Sequence, residues 1–190
     1  MHRHFKIYKP YGFLSQFVTN QKTRKNKRLL GELADFPEGT MAVGRLDEDS
    51  EGLLLLTTNG KVSAEITKGK VEKEYYVQVD GFITQEAVER LSKGVEIGIY
   101  GKKYQTDPCT VDIITTSPKF PERAKKIRDE RHGPTSWISV ILREGKFRQV
   151  KKMTAAVGFP TLRLVRVRVG SEHLDTMDAG EVREVEKFSY

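Results

Sequence analysis

The residues best suited to chemistry lie in one acidic loop, Gly44–Gly52. Its carboxylates are Asp47, Glu48, Asp49 and Glu51. Residues 41–43 before the loop and the leucines at 53–56 after it are apolar, so both flanks are predicted to be strands. A loop between two strands is a place where a rigid scaffold can hold a reactive carboxylate.

A calcium-binding loop is one interpretation of these carboxylates. Asp47, Asp49 and Glu51 fall at the first, third and fifth positions of such a loop. The twelfth position requires a bidentate glutamate, but it is Thr58 here. The spacing therefore argues against a metal site, and it leaves a solvated acidic turn and a catalytic loop as alternatives.

Basic residues exceed acidic ones and are clustered, which favours a polyanionic partner. The chain has 33 Lys+Arg against 26 Asp+Glu, a formal net charge of +7 and a pI of about 9.4. One cluster is Lys22, Arg24, Lys25, Lys27 and Arg28, and the other is Arg143, Lys146, Arg148, Lys151 and Lys152. We expect both clusters to contribute to nucleic-acid affinity.

Other classes of protein find little support in the composition. Cys109 is the only cysteine, which excludes an intrachain disulfide and suggests a buried structural thiol. The four histidines show no zinc-ligand spacing with it. No apolar segment reaches membrane-spanning length, and residues 1–6 do not resemble a signal peptide. We therefore expect a cytoplasmic protein without a metal site or membrane contact.

The order of strand and helix signals predicts an α+β fold with largely antiparallel strands, in one compact unit or two fused lobes. The predicted strands are 5–9, 13–18, 41–43, 53–56, 71–79, 95–99, 110–116, 136–142 and 162–169, and the predicted helices are 29–34, 61–68, 85–93 and 147–157. Residues 117–134 are predicted to form a surface insertion, either solvated or facing a nucleic acid.

In three of these elements, the spacing of the apolar residues predicts which side chains face the core. Tyr75 shares strand parity with Val77 and Val79 and is expected to face the core side, unlike Tyr76. The helical pattern predicts a buried stripe of Phe147, Val150, Met153 and Val157, with Lys151 at its edge. In the last strand, apolar residues change parity after Leu164, so either both faces are covered or a bulge re-aims the chain, and we favour the bulge.

Five segments resemble, in order, the motifs of pseudouridine synthases, in the branch that modifies ribosomal RNA. They are residues 9–16 for the opening strand and turn, 44–54 for the catalytic aspartate, 73–75 for the active-site tyrosine, 144–153 for the basic motif and 164–170 for the terminal strand. The resemblance covers about residues 5–180. Each string alone is a weak signal, whereas five in the same order are specific.

The resemblance implies a role for each site residue in the isomerisation of uridine to pseudouridine. Asp47 is the catalytic carboxylate, and it attacks the base, attacks the sugar or assists removal of a proton from ribose. Tyr75 stacks on the flipped uracil or transfers a proton, and Lys151 is the neighbouring cation. The remaining residues bind the substrate: Arg45 occupies the space that the flipped base vacates or holds the backbone of the flipped nucleotide, and Leu164 packs under the base. Arg148, Gln149 and Lys152 belong to the basic motif.

The resemblance also implies the architecture and the partner. We expect the pseudouridine synthase fold, a mainly antiparallel mixed sheet in two fused lobes with a central basic cleft. Residues 1–190 would be one catalytic domain without a small N-terminal RNA-binding domain. The expected substrate is large-subunit ribosomal RNA rather than DNA, bound by a monomer without a cofactor. A non-catalytic RNA-binding or ribosome-assembly factor is the alternative. Phe147 occupies a motif position expected to be polar, which we attribute to helix packing.

Overall fold

The computed structural model describes residues 2–19 and 27–190, so that Lys22, Arg24 and Lys25 lie outside the described residues. The strands are β1 His4–Lys9, β2 Met41–Val43, β3 Glu51–Thr57, β4 Lys73–Asp80, β5 Glu96–Ile99, β6 Lys102–Gln105, β7 Thr110–Ile114, β8 Thr135–Leu142, β9 Thr161–Val169, β10 Glu172–His173 and β11 Val182–Val185. The helices are α1 Gly60–Lys68, α2 Gln85–Lys93 and α3 Gln149–Ala156, with one-turn 3-10 helices at Leu30–Glu32 and Glu130–His132. These elements confirm the α+β class.

The chain divides into two compact units. The first consists of Met1–Val71, Pro121–Lys125 and Val165–Tyr190, and the second of Glu72–Phe120 and Lys126–Leu164. Within the two described ranges, no helix is long and apolar enough to cross a membrane.

The first unit is built around β3. Strand β1 pairs antiparallel with β3 along its whole length, and β11 pairs with the outer edge of β1. The other edge of β3 is shared by β9, which is parallel at Glu51 and Gly52, and by β2, which is antiparallel further along. Leu53 to Leu56 are at most 1% exposed. Because successive residues of a strand face opposite sides, both faces of β3 are covered there.

The second unit is an antiparallel ladder of β4, β8 and β7 with two helices and the β5–β6 hairpin. Helix α2 has the predicted bounds, because the Thr84 hydroxyl accepts from the Ala87 N–H and Gly94 adopts a positive φ after the last turn. Tyr75, Val77 and Val79 are buried on one face of β4, whereas Tyr76 is half-buried on the other. The predicted sidedness of this strand is therefore confirmed.

Two local predictions are wrong. Residues 13–18 form no strand; Phe13 makes one isolated bridge to Arg28. The helix predicted at 147–157 begins only at Gln149, so Phe147 precedes it and is 50% exposed instead of buried. Helix packing therefore does not explain this phenylalanine.

Strand β9 shows how its change of parity is accommodated. Four consecutive residues, Arg163 to Arg166, are buried. Since neighbours in a strand point to opposite faces, both faces are covered at this position. Coverage of both faces is the first of the two alternatives that the sequence left open, and it accounts for the pattern without the favoured bulge near Leu164.

Candidate active site

The Asp47 loop, residues 44–50, connects β2 to β3 in the first unit. The Ser50 N–H donates to the Asp47 carbonyl at 3.0 Å, which closes a tight turn at residues 47–50. Asp47 is half-buried, and Leu46 before it is 6% exposed. Arg45 is exposed on the same loop. The loop thus anchors one apolar residue and presents an arginine and a carboxylate on either side of it.

Ser15 fixes the backbone next to Asp47. Its hydroxyl donates to the Leu46 carbonyl at 2.7 Å and accepts from the Leu46 N–H at 2.9 Å. Both residues are buried, so these hydrogen bonds satisfy main-chain groups that water does not reach. Sequence reasoning placed Ser15 in a strand and missed this contact, because the two residues are separated by 31 positions.

Lys9 supports the other side of the loop from a fully buried position. Its ammonium donates to the Phe13 carbonyl at 2.7 Å and to the Pro10 carbonyl at 2.9 Å, and it lies 3.5 Å from the Glu48 carbonyl. The Gly12 N–H donates to the same Glu48 carbonyl at 2.8 Å. A buried charge needs such partners, so Lys9 folds the segment at residues 10–13 against the loop.

The side chain of Lys27 reaches the same loop. Its ammonium forms an ion pair with the Glu48 carboxylate. Arg28, beside it, lies over the Phe13 ring at 4.3 Å and pairs with Glu32 at 3.1 Å. These two residues of the first basic cluster therefore make contacts within the protein.

Gly52 and Arg166 hold the end of the loop where β3 begins. Gly52 has φ +102°, and a side chain there would place a Cβ 2.8 Å from the Arg166 nitrogen and 2.9 Å from the Val165 Cγ1. Arg166 is 3% exposed, and its Nε donates to the Leu53 carbonyl at 2.8 Å. Only glycine allows β9 to approach this closely, which explains the glycine that ends the acidic segment.

In the second unit, Tyr75 lies on β4 opposite Val140 of β8 and is 9% exposed. Tyr76, on the opposite face, contacts the Phe120 ring edge-on at a centroid distance of 6.1 Å. The sequence-predicted tyrosine is therefore the one on the buried side of its strand, as expected.

The basic motif begins with a polar network around Glu144. Gln149 is 5% exposed; its Oε1 accepts from the Lys146 N–H at 3.0 Å and its Nε2 donates to Glu144 at 2.7 Å. The Tyr104 hydroxyl also donates to Glu144, which raises the pKa of Tyr104 to about 12. Gln149, predicted as a substrate contact, is thus built into the turn that precedes α3.

The remaining predicted residues of this unit lie directly before α3, on α3 and on β9. Lys152 donates to the Gly98 carbonyl at 2.6 Å, so its ammonium binds the β5–β6 hairpin. Arg148 precedes α3 in the left-handed region at φ 51°, Lys151 is half-buried on its first turn, and Leu164 is 6% exposed. The sites therefore divide by unit: Arg45 and Asp47 in the first, and Tyr75, Arg148, Gln149, Lys151, Lys152 and Leu164 in the second.

Comparison with known proteins identifies the class to which this fold belongs. The family described as RNA pseudouridylate synthase matches residues 3–156, and the chain belongs to that family. Its members are isomerases. Relatives include proteins named ribosomal large subunit pseudouridine synthase E, from Vibrio parahaemolyticus at 42% identity over 94% of this chain and 71% of the relative, and from Xanthomonas campestris at 40% over 92% and 91%.

Solved structures agree with the family. A crystal structure of a pseudouridylate synthase superposes with a TM-score of 0.76 at 26% identity, covering 97% of this chain and 70% of that one. The human RNA pseudouridylate synthase domain containing 1 has a TM-score of 0.55 at 16% identity, over 96% of this chain and 78% of that one, which shows a shared fold.

Proposed function

We propose that this protein isomerises a specific uridine of large-subunit ribosomal RNA to pseudouridine. Support for the substrate comes from four relatives at 40–43% identity over 89–94% of this chain, all named for the ribosomal large subunit. The surplus of basic residues suits an RNA partner. The protein would act in the cytoplasm as a monomer, with residues 1–190 forming a catalytic domain.

Asp47 is the proposed catalytic carboxylate. The single observation that carries this role is the support of its loop: Ser15, Lys9 and Gly12 all contact main-chain atoms of the loop. The reaction breaks the bond from ribose to N1 of uracil and forms one to C5, while the proton at C5 leaves and N1 gains a proton, so that nothing is oxidised or reduced. An ionised carboxylate can attack, or accept a proton, without a second group to activate it. The protein must therefore supply the position of the carboxylate.

Tyr75 and Lys151 are proposed to complete the catalytic group. A tyrosine on the buried side of β4 offers a ring face for the flipped uracil and a hydroxyl for proton transfer. Lys151 lies beside the buried Val150 on α3, where its aliphatic stem can pack while the ammonium stabilises a carboxylate. No cofactor enters this proposal.

Substrate binding is assigned to three residues. Arg45 is exposed on the loop of Asp47 and would hold the vacated space or the backbone of the flipped nucleotide. Leu164 would pack against the base, and Arg148 would bind phosphate. Because the amide of Gln149 and the ammonium of Lys152 are engaged within the protein, we propose that they shape the basic motif.

The test is a comparison of conservative variants within one loop. Asp47→Asn keeps the size of the side chain and removes its charge, so single-turnover assays on ribosomal RNA should show loss of pseudouridine formation with RNA binding retained. Asp49→Asn is the matched control and should keep most of the activity. Glu51→Gln is a poorer control, because Glu51 is 2% exposed and accepts from Tyr8 at 3.4 Å.

Mapping pseudouridine across ribosomal RNA from cells that lack this protein identifies the target uridine. One missing pseudouridine in large-subunit RNA, restored by the wild type and not by Asp47→Asn, is the expected result. An unchanged map would contradict the proposal and favour a non-catalytic RNA-binding or ribosome-assembly factor.

A further inference from the structure

Two exposed aromatic rings stack on each other in the second unit, and the proposed reaction uses neither. Tyr100 is 82% exposed and Phe147 is 50% exposed. Their ring centroids are 5.7 Å apart, with 18° between the ring planes. Contiguous aromatic surface kept in contact with water is a feature of binding sites rather than of cores.

The backbone at Tyr100 shows that the fold does not require this ring. Tyr100 has φ 47° and Gly101 has φ 77°, and together they form the two-residue turn between β5 and β6. Turns with two positive φ values favour Asn, Asp and Gly, and a bulky residue there is an outlier. Since the ring of Tyr100 is largely in solvent, its presence in this conformation indicates a role in binding.

Phe147 supports the same conclusion from the sequence. It occupies a position of the basic motif where a polar residue is expected, and α3 begins only after it. Core packing therefore does not explain Phe147, whereas contact with the Tyr100 ring does.

Lysines of α3, of the segment before it and of β6 lie near the two rings, together with the carboxylates of Glu96 and Glu144. The Lys152 ammonium lies 5.2 Å from the centroid of Phe147, and that of Lys146 lies 4.8 Å from the centroid of Tyr104. Lys102 is exposed at the start of β6, and Lys103 pairs with Glu96 at 2.9 Å. Aromatic faces among ammonium groups match single-stranded nucleic acid, in which bases stack and phosphates carry negative charge.

We propose that Tyr100, backed by Phe147, is a platform on which an unpaired base of the RNA stacks, with Lys146 attracting the adjacent phosphate. The proposal rests on the proposed function for the identity of the RNA. It adds a binding subsite that reads no sequence, because every base offers a stacking face.

The test separates stacking from charge. A fluorescent oligouridylate of about eight nucleotides, within the usual site sizes, is compared with an abasic oligonucleotide of equal length, using the full-length protein. The wild type should bind the oligouridylate more tightly, and one base–aromatic stack should account for roughly fivefold to 150-fold of the difference. Tyr100→Asn should lower this difference by the same factor and leave the abasic affinity unchanged. Asparagine suits the turn, so this variant should unfold at or above the wild-type temperature.

Two further variants complete the design. Phe82→Ala removes an aromatic side chain that is 72% exposed in the same unit and should keep the full difference between the two oligonucleotides. Lys146→Gln should weaken the binding of both oligonucleotides equally. It should also make the plot of log affinity against log salt concentration less steep by roughly 0.7.

The proposal is overturned if Tyr100→Asn and Phe147→Ala both keep the preference for oligouridylate, which would leave a protein partner as the occupant. An equal loss in Phe82→Ala would also overturn it. Because binding is measured without turnover, absence of pseudouridine formation would refute the catalytic proposal alone.

Discussion

The Ser15→Ala substitution tests whether the hydroxyl of Ser15 positions the catalytic loop. It removes both hydrogen bonds to the Leu46 main chain, at 2.7 and 2.9 Å, in a buried position. A buried polar group without a partner costs about 1–3 kcal/mol. With two groups affected and some relief from local movement, we expect the free energy of unfolding to fall by about 2–4 kcal/mol.

The same change should reduce catalysis more than binding. If Leu46 shifts, the carboxylate of Asp47 next to it shifts as well, and a misplacement of about 1 Å can cost about a hundredfold in rate. Urea unfolding gives the stability, and single-turnover pseudouridine formation at a temperature where the variant is folded gives the rate. Ser171→Ala, at an exposed serine of the same unit, is the matched control and should change neither.

Two results would contradict this reasoning. Wild-type stability would mean that the hydroxyl of Ser15 is replaceable by water. Lower stability with a full rate in the folded variant would mean that Ser15 supports the fold without positioning Asp47.

Three other substitutions or titrations follow from single features. Gly52→Ala should lower the free energy of unfolding by about 2–6 kcal/mol, from backbone strain and the clash with Arg166, whereas Gly39→Ala, at φ +78° in open space, should cost only the strain. Burial lowers the pKa of the His4 imidazole below 6.5. The contribution of His4 to the free energy of unfolding should therefore be fully present above pH 6.5 and should fall at lower pH, where the unfolded chain takes up a proton first. In His4→Gln, the free energy of unfolding measured with urea should depend less on pH in this range. Burial raises the pKa of Cys109 to about 11, so its alkylation at pH 8 should be about a hundredfold slower than that of a free thiol.

Elements specified by local signals could be predicted from the sequence. Thr84 and Gly94 bound α2 because a hydroxyl cap and a positive φ act within one turn of the helix. The burial of Tyr75 rather than Tyr76 follows from strand parity alone. The Asp47 loop could be located for the same reason, because its flanking strands are recognisable from their apolar residues.

Contacts between distant segments were not predictable. Ser15 and Lys9 act on the loop across more than 30 positions, and no local pattern marks a buried lysine bound by carbonyls. Gln149 follows a left-handed residue, Arg148, which delays the start of α3 and turns Phe147 to the surface. A pattern of apolar residues cannot reveal this change, because Phe147 has the helical spacing of a buried residue.

The supports of the loop explain why its acidic residues can be tested one at a time. Ser15, Gly12 and Lys9 all contact main-chain atoms of the loop, at Leu46 and Glu48. Substitution of a carboxylate by its amide leaves those atoms in place, so the loop should keep its conformation in Asp47→Asn and Asp49→Asn alike. A difference in rate between the two variants would therefore report the chemistry of one carboxylate rather than a change in the shape of the loop.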